Sequence, residues 1–364
     1  MEENKDNSVI ETGESGWYPA AVTAAADVCP TNETAEVDCI AARRSFSTAG
    51  WGVFVFLAVS SALQILLSAI GGVLDVDYEA QPWLFWMFNF APIYVIGAPL
   101  CLLILRKVPK TPCVTEKMGA GKLIVAAFIC FFLMYSGSFL GLGITSAVQG
   151  VFGIEPVNVV QELVFTEQLL PKILVIVIIG PFFEELIFRK ALISRLRVYG
   201  ERLAVITSAV IFALFHGNLS QMFYAFLLGL VFGYIYLRSG KLRNSLILHM
   251  IVNFSGSIVA PYMLGLVDES AMEGLRTASA AMDPAAMAEL ITPGMIAFAL
   301  LSLLLAGLFI TGLVLFCVNV GKLRFYAVEK PLPKGKRFST VYLNVGMLLL
   351  ILACLALVVL TFVV

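Results

Sequence analysis

Six side chains that can exchange protons, carry charge or donate hydrogen bonds lie inside one apolar stretch of the chain, between positions 180 and 253. The two histidines of this stretch are the only histidines among 364 residues. Ionisable groups are costly inside a bilayer, and those found there usually face a protein interior or a water-filled cavity. The stretch therefore predicts a functional site within a membrane. Its members are Glu184, Glu185, Arg189, His216, His249 and Asn253.

An arginine follows the pair of glutamates at helical spacing. Glu185 and Arg189 are four residues apart, so they can form an ion pair on one face of a helix. On an α-helix Glu184 points about 100° away from Glu185, toward a different neighbour. A simple salt bridge with Arg189 would satisfy one carboxylate and leave the second unexplained. We predict that Glu185 is a held, supporting anion and that Glu184 is free to react.

The two imidazoles suggest what the free carboxylate could do. His216 ends the motif that starts at Phe212, and His249 shares a helix face with Asn253, four residues on. A glutamate beside an imidazole in a partly dry cavity can act as a general base on water. A second imidazole and an amide N–H can donate to the oxyanion that forms when water adds to a peptide carbonyl. The set predicts amide hydrolysis without a covalent intermediate.

A zinc site is the alternative for the same residues. Two histidines and a glutamate, here His216, His249 and Glu184, could bind zinc and activate water. The sequence has no HExxH motif, and three separate helices would have to supply the ligands. We therefore favour metal-free glutamate chemistry and predict no cofactor.

Composition indicates the elements that must position these groups. The chain is 60% hydrophobic and 13% charged, against about 45–50% and about 25% in soluble domains. Long apolar runs predict an all-α integral membrane protein, a polytopic helix bundle and not a barrel. A net charge of −1 gives no indication of nucleic-acid binding. The seven cysteines form no CxxC pair, so we predict neither a disulfide framework nor a zinc knuckle.

About nine apolar segments are long enough to cross a bilayer. Residues 1–45 are predicted to be an acidic, flexible cytoplasmic tail, and 46–364 a transmembrane domain whose catalytic core, at about 165–262, lies on helices four to seven. The segments run roughly over 50–73, 83–105, 122–148, 168–190, 202–217, 220–237, 244–265, 291–319 and 340–363.

The charges between the segments predict the orientation. Every second connection is basic and the others are acidic or neutral. Because Lys and Arg mark the cytoplasmic side, the N-terminus is predicted inside and the C-terminus outside, in what we take to be a bacterial cell membrane. Counted from a turn near Gly200, Glu184 lies 16 residues before it and His216 lies 16 after it, at similar depth. The same counting leaves His249 shallower.

Three motifs occur in order in this segment: Glu184-Glu185…Arg189, then Phe212…His216, then His249…Asn253. With these motifs the chain resembles the CAAX protease and bacteriocin-processing family of intramembrane proteases, which contains the prenyl-protein endoprotease. The resemblance covers about 75 residues. One departure is Lys190, where many members have glycine after the arginine.

The resemblance implies a role for each motif residue. Glu184 would activate water together with His216, and His249 and Asn253 would form the oxyanion hole. Glu185 and Arg189, with Phe212 beside them, would hold the site. The family's cavity opens toward the cytosol, and its members have been described both as metalloproteases and as glutamate proteases. The resemblance therefore leaves the metal question open.

The first functional hypothesis is an intramembrane endopeptidase, surrounded by membrane lipid, that cleaves a peptide or membrane-associated protein. The second is a non-enzymatic membrane protein on the same scaffold, such as a bacteriocin immunity factor or an adaptor. A transporter with a proton relay is the third, but no broken-helix repeat supports it. The sequence predicts neither the identity of the substrate nor an oligomeric state.

Overall fold

The computed structural model describes residues 32–112, 115–154, 168–267 and 269–363. Within these residues the chain forms helices and no strand. This confirms the predicted all-α polytopic fold, in which each helix satisfies its own backbone hydrogen bonds away from water.

The helices are numbered here in chain order. Helix α4 is a continuous helical run in which two long π-helical stretches alternate with short α-helical ones and a 3-10 turn ends the run, and the remaining helices are mainly α-helical. The described helices are α1 (Asn32–Val73), α2 (Pro82–Leu105), α3 (Ala120–Phe152), α4 (169–199), α5 (Glu201–Phe215), α6 (Leu219–Ser239), α7 (Leu242–Gly265), α8 (Glu269–Ala280), α9 (Pro284–Leu290), α10 (Pro293–Val320), α11 (Arg337–Tyr342) and α12 (Val345–Leu360).

Six described helices are long and apolar enough to cross a membrane, namely α1, α2, α3, α6, α7 and α10. A seventh span results if α11 and α12, which are bent by 65° at their junction, count as one. The predicted count of nine is therefore not confirmed. The fourth and fifth predicted spans make the difference, because α4 contains the site's charged residues and α5 has only 15 residues.

Helix α1 extends further toward the N-terminus than the predicted first span. It begins at Asn32, so residues 32–45 of the segment predicted as a flexible tail are helical, and Ala42 is fully buried. Residues 1–31 lie outside the described residues. The predicted domain boundaries otherwise stay predictions.

Helix α6 lies at the centre of the predicted core. It packs against α3, α5 and α7, and it also touches α4. Helix α3 comes so close that a β-carbon at Gly137 would overlap the α-carbon of Tyr224 on α6. Small residues allow such backbone approaches between membrane helices. The approach fixes α6 against α3 at this point.

The basic connections meet at one end of the bundle. The loop after α2 is joined to the end of α4, where the Thr111 N–H donates to the Ser194 carbonyl at 2.9 Å. The segment after α10 reaches the same end, where the Leu332 N–H donates to the Tyr199 carbonyl at 3.2 Å. This agrees with the charge pattern that placed these connections on one side. That this side is cytoplasmic stays a prediction.

A buried ion pair ties α5 to α6 at the same end. Arg238 pairs with Glu201, and the Tyr326 ring lies 4.4 Å from the guanidinium carbon of Arg238. The Tyr326 N–H donates to Glu201 at 2.7 Å, and its hydroxyl donates to Glu116 at 2.8 Å. The bond to Glu116 raises the pKa of Tyr326, because it stabilises the protonated phenol. The segment after α10 is thereby fixed on the ends of α5 and α6.

Candidate active site

Helix α4 changes its winding where the two glutamates lie. Two π-helical stretches, Lys172–Ile179 and Glu185–Ile193, flank one short α-helical stretch, Gly180–Glu184. In a π-helix the hydrogen bond reaches one residue further back, so consecutive side chains diverge less around the axis. Such turns are frequent at functional sites. This winding was not predicted from the sequence.

Glu185 is the fully buried member of the pair. Its Oε1 lies 3.3 Å from Arg189 Nε and 3.1 Å from His249 Nδ1, and neither Glu185 nor Arg189 has exposed side-chain surface. The predicted ion pair is therefore present. The Arg189 guanidinium also lies 4.5 Å above the Phe212 ring and 3.4 Å from the Ser208 hydroxyl. Glu185 is held on two sides, by a cation and by an imidazole.

Glu184 is more open and contacts the other nitrogen of the same imidazole. Its Oε2 lies 3.5 Å from His249 Nε2, and 23% of its side chain is exposed. Regular α-helical geometry predicts different neighbours for Glu184 and Glu185. The structure instead brings both carboxylates to His249, one at each ring nitrogen.

His249 is held by aromatic rings as well as by the two carboxylates. Its ring stacks on Phe232 of α6 at 4.9 Å and meets the edge of Phe212 at 5.8 Å. Counting along the chain had left His249 shallower than Glu184. That count assumed parallel helices that start at one level, and the direct contact between the two side chains shows no such difference in depth.

His216 stands at the end of α5 and makes a local hydrogen bond. Its Nδ1 lies 2.8 Å from the Phe212 carbonyl oxygen, and its ring meets the Phe212 ring edge-on at 4.8 Å. The described contacts include no hydrogen bond or ion pair between His216 and Glu184. Phe212 thus contacts both imidazoles and the guanidinium of Arg189.

Asn253 joins α7 to α4. Its side-chain Nδ2 donates to the Ile176 carbonyl at 2.9 Å, in the first π-helical stretch. The predicted shared face of His249 and Asn253 is present, since both side chains contact α4. The oxyanion role predicted for both residues remains a prediction.

Two tyrosines near Glu184 were missed from the sequence. Tyr94 of α2 stacks on Phe183, the residue before Glu184, at a centroid distance of 5.1 Å. Tyr224 comes from α6, and both phenols lie within range of the Glu184 carboxylate. The sequence did contain a signal for Tyr94, because Trp86, Phe90 and Tyr94 follow one another on α2 at intervals of four residues. No ionisable residue in its own span pointed to it.

The three predicted zinc ligands are Glu184, His216 and His249. Among the residues that the structure describes, no group of three or more His, Cys, Asp or Glu side chains could hold a metal ion. Glu184, His216 and His249 therefore do not form such a group.

The fold and the site together define a helical integral membrane protein with a buried cluster of carboxylates and imidazoles. Residues 166–255 match the family described as "Type II CAAX prenyl endopeptidase Rce1-like", a segment that contains all six predicted site residues. The match covers about a quarter of the chain, and it is to the family that the three motifs resemble.

A curated protein whose name is that of a membrane peptidase is similar to part of the chain. The chain is 31% identical over 160 residues to a protein of Bacillus subtilis (strain 168) named "Putative membrane peptidase YdiL". The alignment covers 42% of this chain and 63% of the length of that protein. No solved structure is significantly similar to the chain.

Proposed function

We propose that the protein is an intramembrane endopeptidase that hydrolyses a peptide bond of a membrane-associated peptide or protein, with Glu184 as the general base on water. One observation carries the proposal: Glu184 faces His249 Nε2 at 3.5 Å, while Glu185 holds the opposite nitrogen of that ring at 3.1 Å. The family match and the name of the Bacillus subtilis relative support the reaction class.

The two contacts of His249 define where a proton can move. An ionised carboxylate only accepts hydrogen bonds, so Glu185 favours the proton on Nδ1 of His249. Nε2 is then left facing Glu184, and one proton can be shared between these two groups. In other hydrolases, too, a carboxylate orients an imidazole through one ring nitrogen and leaves the other nitrogen to transfer a proton. Because Glu184 is the more exposed of the two, we assign it the contact with water.

Charge balance supports this arrangement. Glu185 and Arg189 form one neutral, buried pair. Glu184 and His249 form a second neutral pair when the imidazole carries two protons, one facing each carboxylate. Uncompensated charge in a buried site is strongly unfavourable. A proton can therefore move between His249 and Glu184 while the net charge of the four groups stays the same.

The proposed reaction needs no covalent intermediate. Glu184 removes a proton from water as the oxygen adds to the peptide carbonyl, which gives a tetrahedral oxyanion. The C–N bond then breaks, and the proton passes from the Glu184–His249 pair to the leaving amine. His216, which contacts Phe212 at the end of α5, is the second imidazole of the proposed site.

Cleavage by purified protein tests the proposal. Wild type and Glu184→Gln are compared on a quenched-fluorescence peptide library in lipid nanodiscs, and the metal content of the same samples is measured. A matched control is Glu273→Gln, since the Glu273 side chain is 72% exposed and lies in α8, outside the site. The proposal expects cleavage in wild type and control, and none in Glu184→Gln.

Other outcomes separate the alternatives. Stoichiometric zinc with cleavage that a chelator abolishes would favour the metal-dependent version with Glu184, His216 and His249 as ligands. Cleavage that persists in Glu184→Gln would overturn the assigned base. A binding or protective effect that survives Glu184→Gln without any cleavage would favour the immunity or adaptor hypothesis.

A further inference from the structure

One aromatic ring lies flat against the imidazole that the two glutamates share. Phe232 of α6 has no exposed surface, and its ring stacks on that of His249 with 4.9 Å between the centroids and 25° between the planes. The same ring lies 5.7 Å from the guanidinium carbon of Arg189 on α4. None of the three sequence motifs includes Phe232. Phe232 therefore connects α6 to two helices that carry residues of the proposed site.

The proposed proton transfer depends on the plane of the His249 ring. The two ring nitrogens make their contacts in that plane, with Glu185 at 3.1 Å and with Glu184 at 3.5 Å. The last side-chain torsion of a histidine has broad minima, so it does not fix the plane by itself. Glu184 is partly exposed and takes a proton from water in the proposed mechanism. A contact on the face of the imidazole would keep the plane fixed while Glu184 reacts.

Phe232 provides such a contact, and Phe212 provides one of a different kind. Phe212 lies at 88° to the His249 ring with 5.8 Å between the centroids, so these two rings meet edge to face. Phe232 lies nearly parallel to the imidazole and closer to it. A rotation of the imidazole out of its present plane would therefore drive it into the Phe232 ring.

Close packing of α6 fixes the position of Phe232 itself. A β-carbon on Gly233, the next residue, would lie 3.1 Å from a methyl carbon of Val205, so α6 and α5 are in tight contact there. Phe232 also belongs to the same buried cluster as Val252, which lies one turn after His249 on α7. The Phe232 ring cannot move away from His249 without disturbing these contacts.

We infer that Phe232 is a positioning residue, whose ring holds the imidazole of His249 in the plane that directs Nε2 at Glu184 and Nδ1 at Glu185. The inference rests on the proposed function and adds to it a residue from α6. Phe232 acts through His249 and takes no part in proton transfer, and no bond to it forms or breaks.

Two replacements test the role of the flat ring. Phe232→Leu and Phe232→Met both keep an apolar side chain, one branched and one flexible, and neither has a flat face. Phe46→Leu is the matched control, because Phe46 on α1 also has no exposed surface and its described ring contact is with Tyr199, at the basic end of the bundle. A general loss of packing should appear equally in Phe46→Leu.

NMR of the histidine rings gives a readout that a loss of packing alone does not move. The chain has only two histidines, so protein with isotope-labelled histidine in lipid nanodiscs gives two imidazoles, which His216→Gln assigns. Dipolar couplings within each imidazole report the mobility of the ring. In both Phe232 variants the His249 ring should become more mobile. The His216 ring, whose described ring contact is with Phe212, should stay as in wild type.

Cleavage kinetics and unfolding temperatures are measured on the same variants. Misplacement of a reacting group by about 1 Å can cost about 10²-fold in rate. The kcat of Phe232→Leu and Phe232→Met should fall by about that factor, with little change in KM. The unfolding temperatures of Phe232→Leu and Phe46→Leu should fall by similar amounts, while Phe46→Leu should keep the kcat of wild type.

The outcomes distinguish this inference from the proposed function. A His249 ring that is as rigid in both Phe232 variants as in wild type would overturn the inference, whatever the rates are. A fall in kcat that Phe46→Leu shares, or a change in KM alone, would equally overturn it. In these cases, cleavage that is lost in Glu184→Gln would leave the proposed function standing. Absence of cleavage in wild type would remove the proposed function, and the NMR measurement would still decide whether Phe232 holds His249.

Discussion

Glu184 Oε2 lies 3.5 Å from Nε2 of His249, although the two residues stand on different helices and His249 is already held by Glu185 at its other nitrogen. The two adjacent glutamates thus contact the two ring nitrogens of one imidazole, and they differ in burial. Glu185 has no exposed side-chain surface, and 23% of the Glu184 side chain is exposed. The difference in burial suits one carboxylate to hold the ring and the other to meet water.

The first prediction concerns the buried partner of Arg189. Glu185→Gln removes the anion beside a guanidinium with no exposed surface, so a buried charge is left uncompensated. Loss of one partner of such a pair typically costs about 3–5 kcal/mol. We expect a lower unfolding temperature and lower activity, measured by circular dichroism in detergent and by peptide cleavage.

Glu184→Gln is the comparison for this variant. Glu184 is partly exposed and its one described ion-pair contact is with His249, so its loss should reduce stability much less while it abolishes cleavage. Equal losses of stability in the two variants would contradict the division between a holding and a reacting carboxylate.

Local geometry made part of the site predictable from the sequence. The Glu185–Arg189 pair follows from a spacing of four residues, and the ion pair is present. The shared face of His249 and Asn253 follows from the same spacing, and both side chains contact α4. In each of these cases, the sequence separation is one helical turn.

Relationships between distant helices were not predictable in the same way. Tyr94 lies in a span without Asp, Glu, Lys, Arg or His, and only the packing of α2 on α4 brings it to Glu184. The π-helical winding that lets Glu184 and Glu185 share His249 has no sequence rule as simple as the spacing of four. The count of nine spans depended on the length of each apolar segment. Helix α5 is too short to count as a span, and charged residues interrupt the apolar sequence of α4.

The second prediction tests the close approach of α3 and α6. Gly137→Ala places a methyl group against the backbone of Tyr224, which cannot move aside like a flexible side chain. Overpacking of this kind costs about 1–3 kcal/mol, and a shift of α6 would also move Phe232, which stacks on His249. We expect lower thermal stability and slower cleavage.

Gly143→Ala is a control on the same helix. A β-carbon at Gly143 meets nothing within 4 Å, so alanine should be tolerated there. Its better helix propensity should even make it neutral or slightly stabilising, by up to about 1 kcal/mol. Similar losses at both positions would mean that α3 tolerates no alanine and that the contact with Tyr224 is not the reason.

The third prediction separates two roles for Asn253. Its hydrogen bond to the Ile176 carbonyl joins α7 to α4, so Asn253→Ala should lower stability by about 1–3 kcal/mol. Asn253→Asp should be worse, because an ionised carboxylate cannot donate and would face the carbonyl oxygen. Unfolding temperatures of both variants check this. A fall in kcat of about 10²–10³ without loss of stability would instead support the oxyanion role predicted from the sequence.

The fourth prediction concerns which side of the membrane the basic end faces. The loops after α2, α4 and α6 and the segment after α10 meet there, and Lys and Arg are enriched in cytoplasmic connections. In a chain with its native cysteines replaced, Lys241→Cys should therefore resist a membrane-impermeant thiol reagent applied to intact cells. Asp77→Cys, in the loop between α1 and α2, should react with it, and both positions should react after the membrane is permeabilised. The opposite labelling pattern would mean that the orientation is inverted. A site that opens toward the basic end would then face the outside of the cell.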